Sequence, residues 1–362
     1  MDAWDNPRMV MEVSFVTSAD GTRIAWSRHG SGPPLVWVGT WLTHLDYDWS
    51  SPVWRHWLDA LCQRFTVIRY DDRGGGLSDR APVEYSLKTW RADLEAVIAA
   101  AGVHSFTLFG MSQGGAVAVD YAHTHPDRVN TLILYGAYAL GAARRGASAE
   151  EEEERLLREH LIKVGWGRAD PVFRRVFTTS FIPEASESQM RWFDELQRRS
   201  MSPEAALASS RARAGLDVCR AAAAVTTPTL VVHGEGDRAV PFENGRQLAR
   251  MIPGARFVSL VSSNHILLAK EDAWPQFLAE VDAFTGITRR PTAVLTAREI
   301  ELVELDAGGF SNSQIADRML LSARTVERHL SNVYAKLDLS GKSARAATAA
   351  MLPELIRRSS GT

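Results

Sequence analysis

A serine, an aspartate and a histidine stand in this chain in an order that suits nucleophilic catalysis. Ser112 lies in Phe109-Gly110-Met111-Ser112-Gln113-Gly114-Gly115, a G-x-S-x-G pattern at residues 110 to 114. An apolar run precedes it and a helical pattern follows. A tight strand-to-helix turn of this kind holds a serine in strained backbone. Its small neighbours let the two elements approach, and the hydroxyl projects above the sheet. The amide of Gln113 would then sit at a helix N-terminus and donate to an oxyanion. A serine hydroxyl needs a base, and the base needs an acid to fix its tautomer. Asp237 follows an apolar run in Val231-Val232-His233-Gly234-Glu235-Gly236-Asp237, and His265 ends Ser262-Ser263-Asn264-His265 after the next run. His44, His123, His125 and His233 compete for the role of base. Loop position and chain order favour His265, and His233 reads as the end of a strand.

A second group of residues suits binding. Residues 292 to 355 read as four short helices. Thr296-Ala297-Arg298-Glu299 and Ser311-Asn312-Ser313-Gln314 are capping boxes, Gly308-Gly309 ends the first helix, and Ser322 caps the third. In that third helix Val326, Leu330, Val333 and Leu337 form one apolar stripe. Beside it lie Arg324, Thr325, Arg328, His329, Asn332 and Lys336. A short turn, a preceding helix and a polar, basic outer face make a helix-turn-helix, whose second helix enters the major groove. Arg, Asn and Thr read base edges there, while Lys336 or Ser322 reaches phosphates. An ordinary solvated helix has the same periodicity and charge. The first helix is acidic (Glu299, Glu301, Glu304, Asp306), so the basic charge is confined to the third.

The elements that must position the first group alternate. Val36–Val38, Thr66–Tyr70, Phe106–Phe109, Thr131–Tyr135, Thr229–His233 and Arg256–Leu260 are short apolar runs, with helical patterns such as Leu87–Ala101 and Ala116–His123 between them. That rhythm predicts an α/β fold, a mostly parallel sheet with helices on both faces. Glu12–Thr17 and Arg23–Ser27, joined through Ala19-Asp20-Gly21, predict an antiparallel hairpin at its edge. Residues from about 140 to 225 are helical in pattern and break the rhythm as an insertion that covers something. All 11 Trp lie between Trp4 and Trp274. The glycine, proline and two arginines of residues 286 to 291 read as a linker, dividing a domain 1–285 from a smaller domain 292–362.

Composition excludes several classes. The chain has 362 residues, 45% of them hydrophobic and 23% charged, enough for a sizeable core and too apolar for wholesale disorder. The net charge of -2 requires any nucleic-acid contact to come from a local patch. Two cysteines exclude a disulfide scaffold and a cysteine-based zinc finger. No apolar run reaches the roughly 18–20 residues of a membrane span. No metal-ligand cluster is visible, and triad chemistry needs no cofactor. These features point to the cytoplasm.

The region from about residue 10 to 285 resembles the α/β-hydrolase superfamily. Tyr70-Asp71-Asp72-Arg73-Gly74-Gly75-Gly76-Leu77-Ser78-Asp79 is similar to its Y-D-x-R-G-x-G-x-S-D loop, Gly110–Gly114 to its nucleophile elbow, and His233–Pro241 to its acid loop. The resemblance implies that Ser112, Asp237 and His265 are nucleophile, acid and base, and that residues 140 to 225 are a cap. Many relatives carry His-Gly after the third strand. This chain has Val38-Gly39-Thr40-Trp41-Leu42-Thr43-His44, so the second oxyanion donor is the amide of Thr40 or Trp41. Trp41, His44 and Met111 are placed to line a pocket, and an aromatic wall suits a small hydrophobic ligand.

The last 65 residues or so resemble the LuxR-type helix-turn-helix. Leu295–Glu299, Ser311–Ala316, Ser322–His329 and Lys336-Leu337 keep the motif in register, and Ser340–Arg345 is looser. The resemblance implies a bacterial regulator that binds double-stranded operator DNA as a homodimer, with residues 322 to 337 as recognition helix. Together the two halves predict a one-component regulator whose sensor binds, and in one version hydrolyses, an ester, lactone or related ligand. The alternative is an esterase-like serine hydrolase whose C-terminal domain only drives oligomerisation.

Overall fold

The computed structural model describes residues 12–80, 84–146, 148–287, 295–337, 339 and 344–359. The expected linker beyond residue 287 and the segment 340–343 lie outside them. The chain forms two compact units, Met1–Thr288 and Arg289–Thr362.

The first unit begins with β1 (Val13–Thr17), β2 (Arg23–Gly30) and β3 (Pro34–Trp37). Two short helices follow, α1 (Leu45–Trp49) and α2 (Arg55–Cys62), then β4 (Thr66–Tyr70) and α3 (Leu87–Ala100). Next come β5 (Phe106–Met111), α4 (Gly114–Thr124) and β6 (Val129–Tyr135). The strands join one eight-stranded sheet of order β1-β2-β4-β3-β5-β6-β7-β8, completed by β7 (Thr229–Gly234) and β8 (Arg256–Leu260). The β1–β2 and β2–β4 pairs are antiparallel and all others parallel.

The strand pleat sorts the core into two layers. Leu35, Trp37, Phe109, Ile133, Tyr135 and Val232 pack with Trp57, Trp274 and Phe277 on one face. Their neighbours Val36, Val38, Leu108, Leu132, Leu134 and Val231 pack with Leu94, Val117 and Leu248 on the other. Alternation with both sides buried is what a mostly parallel sheet requires, since its crossovers lay helices on both faces.

Between β6 and β7 the chain leaves the sheet. A 3-10 turn at Ala142–Arg144 leads to α5 (Ala149–Gly165), α6 (Val172–Phe181), α7 (Glu187–Ser200), α8 (Pro203–Ala214) and α9 (Cys219–Ala224). Local chemistry starts these helices. Ser148 with Glu151 and Ser186 with Gln189 form capping boxes, and Ser202 caps α8 with Pro203 in its first turn. The acidic run 150–154 lies in α5, where Glu150, Glu151 and Glu152 occupy the first turn. Trp166 joins the insertion to the site below it, stacking on Trp41 with ring centres 5.3 Å apart. Then α10 (Phe242–Met251) and α11 (Ala273–Thr285) close the first unit.

The second unit holds α12 (Ala297–Ala307), α13 (Asn312–Met319), α14 (Ala323–Lys336) and α15 (Ala344–Ser359). Both expected capping boxes form, at Thr296–Glu299 and Ser311–Gln314, and Ser322 Oγ accepts from the amide of Thr325 at 3.1 Å. Val326, Leu330 and Val333 on α14, with Leu337 just past its end, bury one stripe against Ile300, Val303, Ile315 and Met319. Leu320, at the C-cap of α13, adopts φ 55 and ψ 47 and turns the chain into α14. Among the described residues no helix is long and apolar enough to cross a membrane.

Candidate functional site

Ser112 sits one residue past β5 with φ 52, in the left-handed region that side-chain-bearing residues rarely occupy. The turn is held at both ends. The Ser112 amide donates to Tyr135 O on β6 at 2.8 Å, and the Gly115 amide donates to Ser112 O at 3.0 Å. A Cβ on Gly110 would lie 2.7 Å from Ala118 Cβ, and one on Gly115 2.4 Å from Ala137 Cβ. Small residues are therefore required for β5 and α4 to approach. Gln113 is the N-cap of α4, where the helix leaves amides without partners inside itself.

Asp237 occupies the loop between β7 and α10. Its Oδ1 accepts from the amides of Ala239 and Val240, each at 2.9 Å, and its Oδ2 accepts from His265 Nδ1 at 2.6 Å. Burial works against its charge, but His265 and the hydrogen-bonding ring of His233 hold its carboxyl well below the usual carboxylate range. With Nδ1 committed, His265 presents Nε2. That atom is buried and has no hydrogen-bond partner, and His265 lines the small cavity together with Ser112. The serine–histidine bond is thus open, as catalytic bonds often are until a substrate tightens them. Gly136 makes room for the base, since a Cβ there would lie 2.8 Å from His265 Cε1.

The small cavity, about 20 Å³, is lined by Ser112, His265, Gln113, Thr40, Trp41 and Met111. Leu42, Trp54, Phe181, Phe193 and Ile266 complete an apolar wall. A second cavity of about 340 Å³ also reaches Ser112, Gln113 and Trp41 and runs under the insertion. His44 lines neither of them. Its Nδ1 accepts from the Tyr47 amide at 3.3 Å and caps α1, so its ring is occupied as a helix cap.

Some working residues carry no role in the sequence reading. Asp71 is fully buried and accepts from the amides of Leu45 and Leu77, at 3.0 and 2.8 Å, pinning the loop after β4 beside the one after β3. Arg73 pairs with Asp93 and Asp20, both at 2.7 Å. The signal for both was the Tyr70–Asp79 motif, whose letters mark loop-holding side chains. His233 is the penultimate residue of β7, one short of the strand end expected at it, and its Nε2 lies 2.9 Å from Val240 O and 3.4 Å from Asp237 Oδ2, behind the acid. The insertion touches the base directly. The amide of His265 donates to Phe181 O at 2.8 Å, at the end of α6.

In the second unit Ser322, Arg324, Arg328, Asn332 and Lys336 are exposed, while Thr325 and His329 are half-buried. All lie on or at the start of α14. Lys336 is engaged by an ion pair to Glu299 at 2.5 Å, whereas Arg324, Arg328 and Asn332 stand exposed along the outer face with Glu327 and Ser331 beside them.

A sheet of this order, with a serine elbow after its central strand and acid and base on two later loops, defines an α/β-hydrolase. The family model described as alpha/beta hydrolase fold matches residues 33–272, and the chain belongs to that family. Residues 293–349 match the model of bacterial regulatory proteins of the luxR family, so a hydrolase-fold domain and a helix-turn-helix domain share one chain. The chain is 27% identical over 247 residues to pyrrolizixenacetamide deacetylase of Xenorhabdus hominickii, covering 66% of this chain and 86% of that protein. It is 29% identical over 249 residues to a non-heme haloperoxidase of Rhodococcus erythropolis, covering 65% of this chain and 86% of that one. An esterase from Exiguobacterium antarcticum superposes with TM-score 0.63 at 25% identity, over 76% of this chain and 100% of its own.

Proposed function

We propose that this protein is a ligand-responsive transcriptional regulator whose sensor is a serine hydrolase domain. The observation that carries the reading is the pairing, on one chain, of an assembled Asp237–His265 dyad beside a strained Ser112 with an exposed Arg324–Arg328–Asn332 face. An ester, thioester or lactone with a small hydrophobic part enters the cavity beneath the α5–α8 insertion. Ser112 Oγ attacks its carbonyl carbon while His265 Nε2 takes the hydroxyl proton. Asp237 stabilises the resulting imidazolium. The amide of Gln113 and that of Thr40 or Trp41 receive the oxyanion. His265 returns the proton to the departing alcohol or thiol, and water, activated by the same Nε2, then releases the acid.

The second unit reads double-stranded operator DNA through α14, working as a homodimer in the cytoplasm. Ligand binding tells on DNA only if one DNA-binding arrangement holds the ligand more tightly than the other. The Phe181–His265 hydrogen bond gives the insertion a direct hold on the base, so ligand under the insertion is sensed at the triad.

The test pairs a fluorophosphonate probe, read by intact mass, with footprinting on duplex DNA selected from a random library. A single adduct that Ser112→Ala abolishes, with a footprint lost on deleting residues 292–362, is the expected result. A protein that labels but selects no DNA is a hydrolase with an oligomerisation tail, and overturns the reading.

A further inference from the structure

The large cavity beneath the insertion has a charged outer wall, although its end at Ser112 is apolar. Five arginines and four glutamates line it. Pairing disposes of much of this charge. Arg155 is held by Glu152 at 2.6 Å and by Glu159, which also takes Arg211 at 2.7 Å. Glu151 Oε2 is occupied by the Ser148 amide at 2.7 Å. Glu154, Arg158 and Arg238 are exposed to solvent, where water screens them.

Two arginines are left in a different condition. Arg145 has no carboxylate within ion-pair distance among the described residues. Its Nε donates to Leu140 O at 2.8 Å, its guanidinium lies 5.0 Å from the Tyr138 ring centre, and burial lowers its pKa. Arg213 is 5% exposed. Its Nε donates to Ser209 Oγ at 3.0 Å, its Nη2 to Asp72, and its guanidinium covers the Trp90 ring at 4.5 Å. Its Nη1 is buried and has no partner. Buried donors are nearly always satisfied, and each exception calls for a reason. Both residues line the cavity that reaches Ser112.

We infer that Arg145 and Arg213 form a carboxylate subsite, so that the ligand is an ester, thioester or lactone whose acyl part carries a carboxylate remote from the reacting carbonyl. The planar guanidinium fork matches a carboxylate, and Arg145 keeps its fork free of any direct carboxylate partner among the described residues, with Glu151 acting on it only at longer range. An apolar stretch of acyl chain then spans the wall between Trp41 and the arginines. The inference deepens the proposed function and rests on Ser112 marking the reacting end.

Two ester probes of equal length separate the cases: the 4-nitrophenyl half-ester of adipic acid, and neutral 4-nitrophenyl hexanoate. Their Kd is measured by calorimetry on full-length Ser112→Ala, and kcat/KM on the native protein. The half-ester is expected to bind at least tenfold more tightly. Arg145→Met brings the ratio within twofold, and Arg145→Lys, which keeps charge but not the fork, gives an intermediate ratio. A half-ester preference in Ser112→Ala without turnover by the native protein supports the subsite and removes the hydrolytic reading. Equal binding of the two probes, no binding of either, or a preference untouched by Arg145→Met overturns the subsite, even where native protein hydrolyses both.

Discussion

Ser112 and Leu320 are the two non-glycine residues with left-handed backbone among the described residues, one in each unit. Ser112 is 7% exposed and Leu320 92%. The same strain serves two ends. In the hydrolase unit the proposed reacting atoms are withdrawn from water, and the serine turn is clamped by Tyr135 O and by glycines too close-packed to admit a side chain. Withdrawal strengthens each charge interaction and leaves polar atoms such as His265 Nε2 waiting for a ligand. In the helix-turn-helix unit the strained residue only joins two helices, and the side chains proposed to read DNA stand in water along α14. A buried site is set by contacts distant in sequence. A surface site is set by the periodicity of one helix.

Variants sharpen that contrast in descending order of effect. Ser112→Ala should abolish fluorophosphonate labelling and lower ester turnover by about 10⁴-fold or more, with a footprint still present; loss of the footprint too would mean the two sites are not separable. Trp57→Ala removes a fully buried ring whose Nε1 donates to Leu267 O at 3.0 Å and should cost about 3–5 kcal/mol. Because all 11 Trp precede residue 275, tryptophan fluorescence follows the first unit alone. Its denaturation midpoint should fall for Trp57→Ala and hold for Leu330→Ala, a core variant of the second unit.

Arg324→Ala or Arg328→Ala should weaken specific DNA binding by about 1–3 kcal/mol without touching probe labelling. Leu320→Gly should raise stability by about 1 kcal/mol, since it relieves left-handed strain and gives up little packing. A destabilised helical signal in that variant would assign Leu320 a packing role. A separate effect is acid sensitivity of the hydrolase unit. Burial, with the charge of Arg69 added, lowers His29 to about 4; burial also lowers His56 to about 4, against the Leu267 carbonyl. Both bind fewer protons folded than unfolded between about 4 and 6.5, so their contribution to stability falls as pH drops through that window, while Asp48 and Asp72, which burial raises to about 7 and about 6, act in the opposite direction. The tryptophan-detected Tm of the double variant His29→Gln with His56→Gln, relative to that of the native protein, should therefore rise as pH drops from about 6.5 to about 4; a constant difference would contradict the buried neutral rings.

Legibility in the sequence followed the same divide. The capping boxes at Thr296 and Ser311 span four residues each and were readable as letters. So was the α14 stripe. In the hydrolase unit Ser112, Asp237 and His265 stood out as candidates because each falls in a loop after a strand, in a fixed order. Their supports were not. Arg213 and Asp72 lie 141 residues apart, and no local pattern announces their meeting. His44 follows β3 and reads as a pocket residue, but α1 is only five residues long, too short for periodicity to reveal the helix it caps. The cavity's aromatic end was legible in the tryptophans near Trp41. Its arginines come from Arg145, from the insertion helices and from the acid loop, and only folding assembles them.

The central claim is that the hydrolase cavity governs DNA binding. It is tested most directly by fluorescence anisotropy of a selected operator duplex, titrated with full-length protein before and after complete phosphonylation of Ser112. The account expects the modified protein to bind with Kd shifted at least fivefold, and Ser112→Ala treated identically to show no shift. Superimposable isotherms at full occupancy of Ser112 would contradict it.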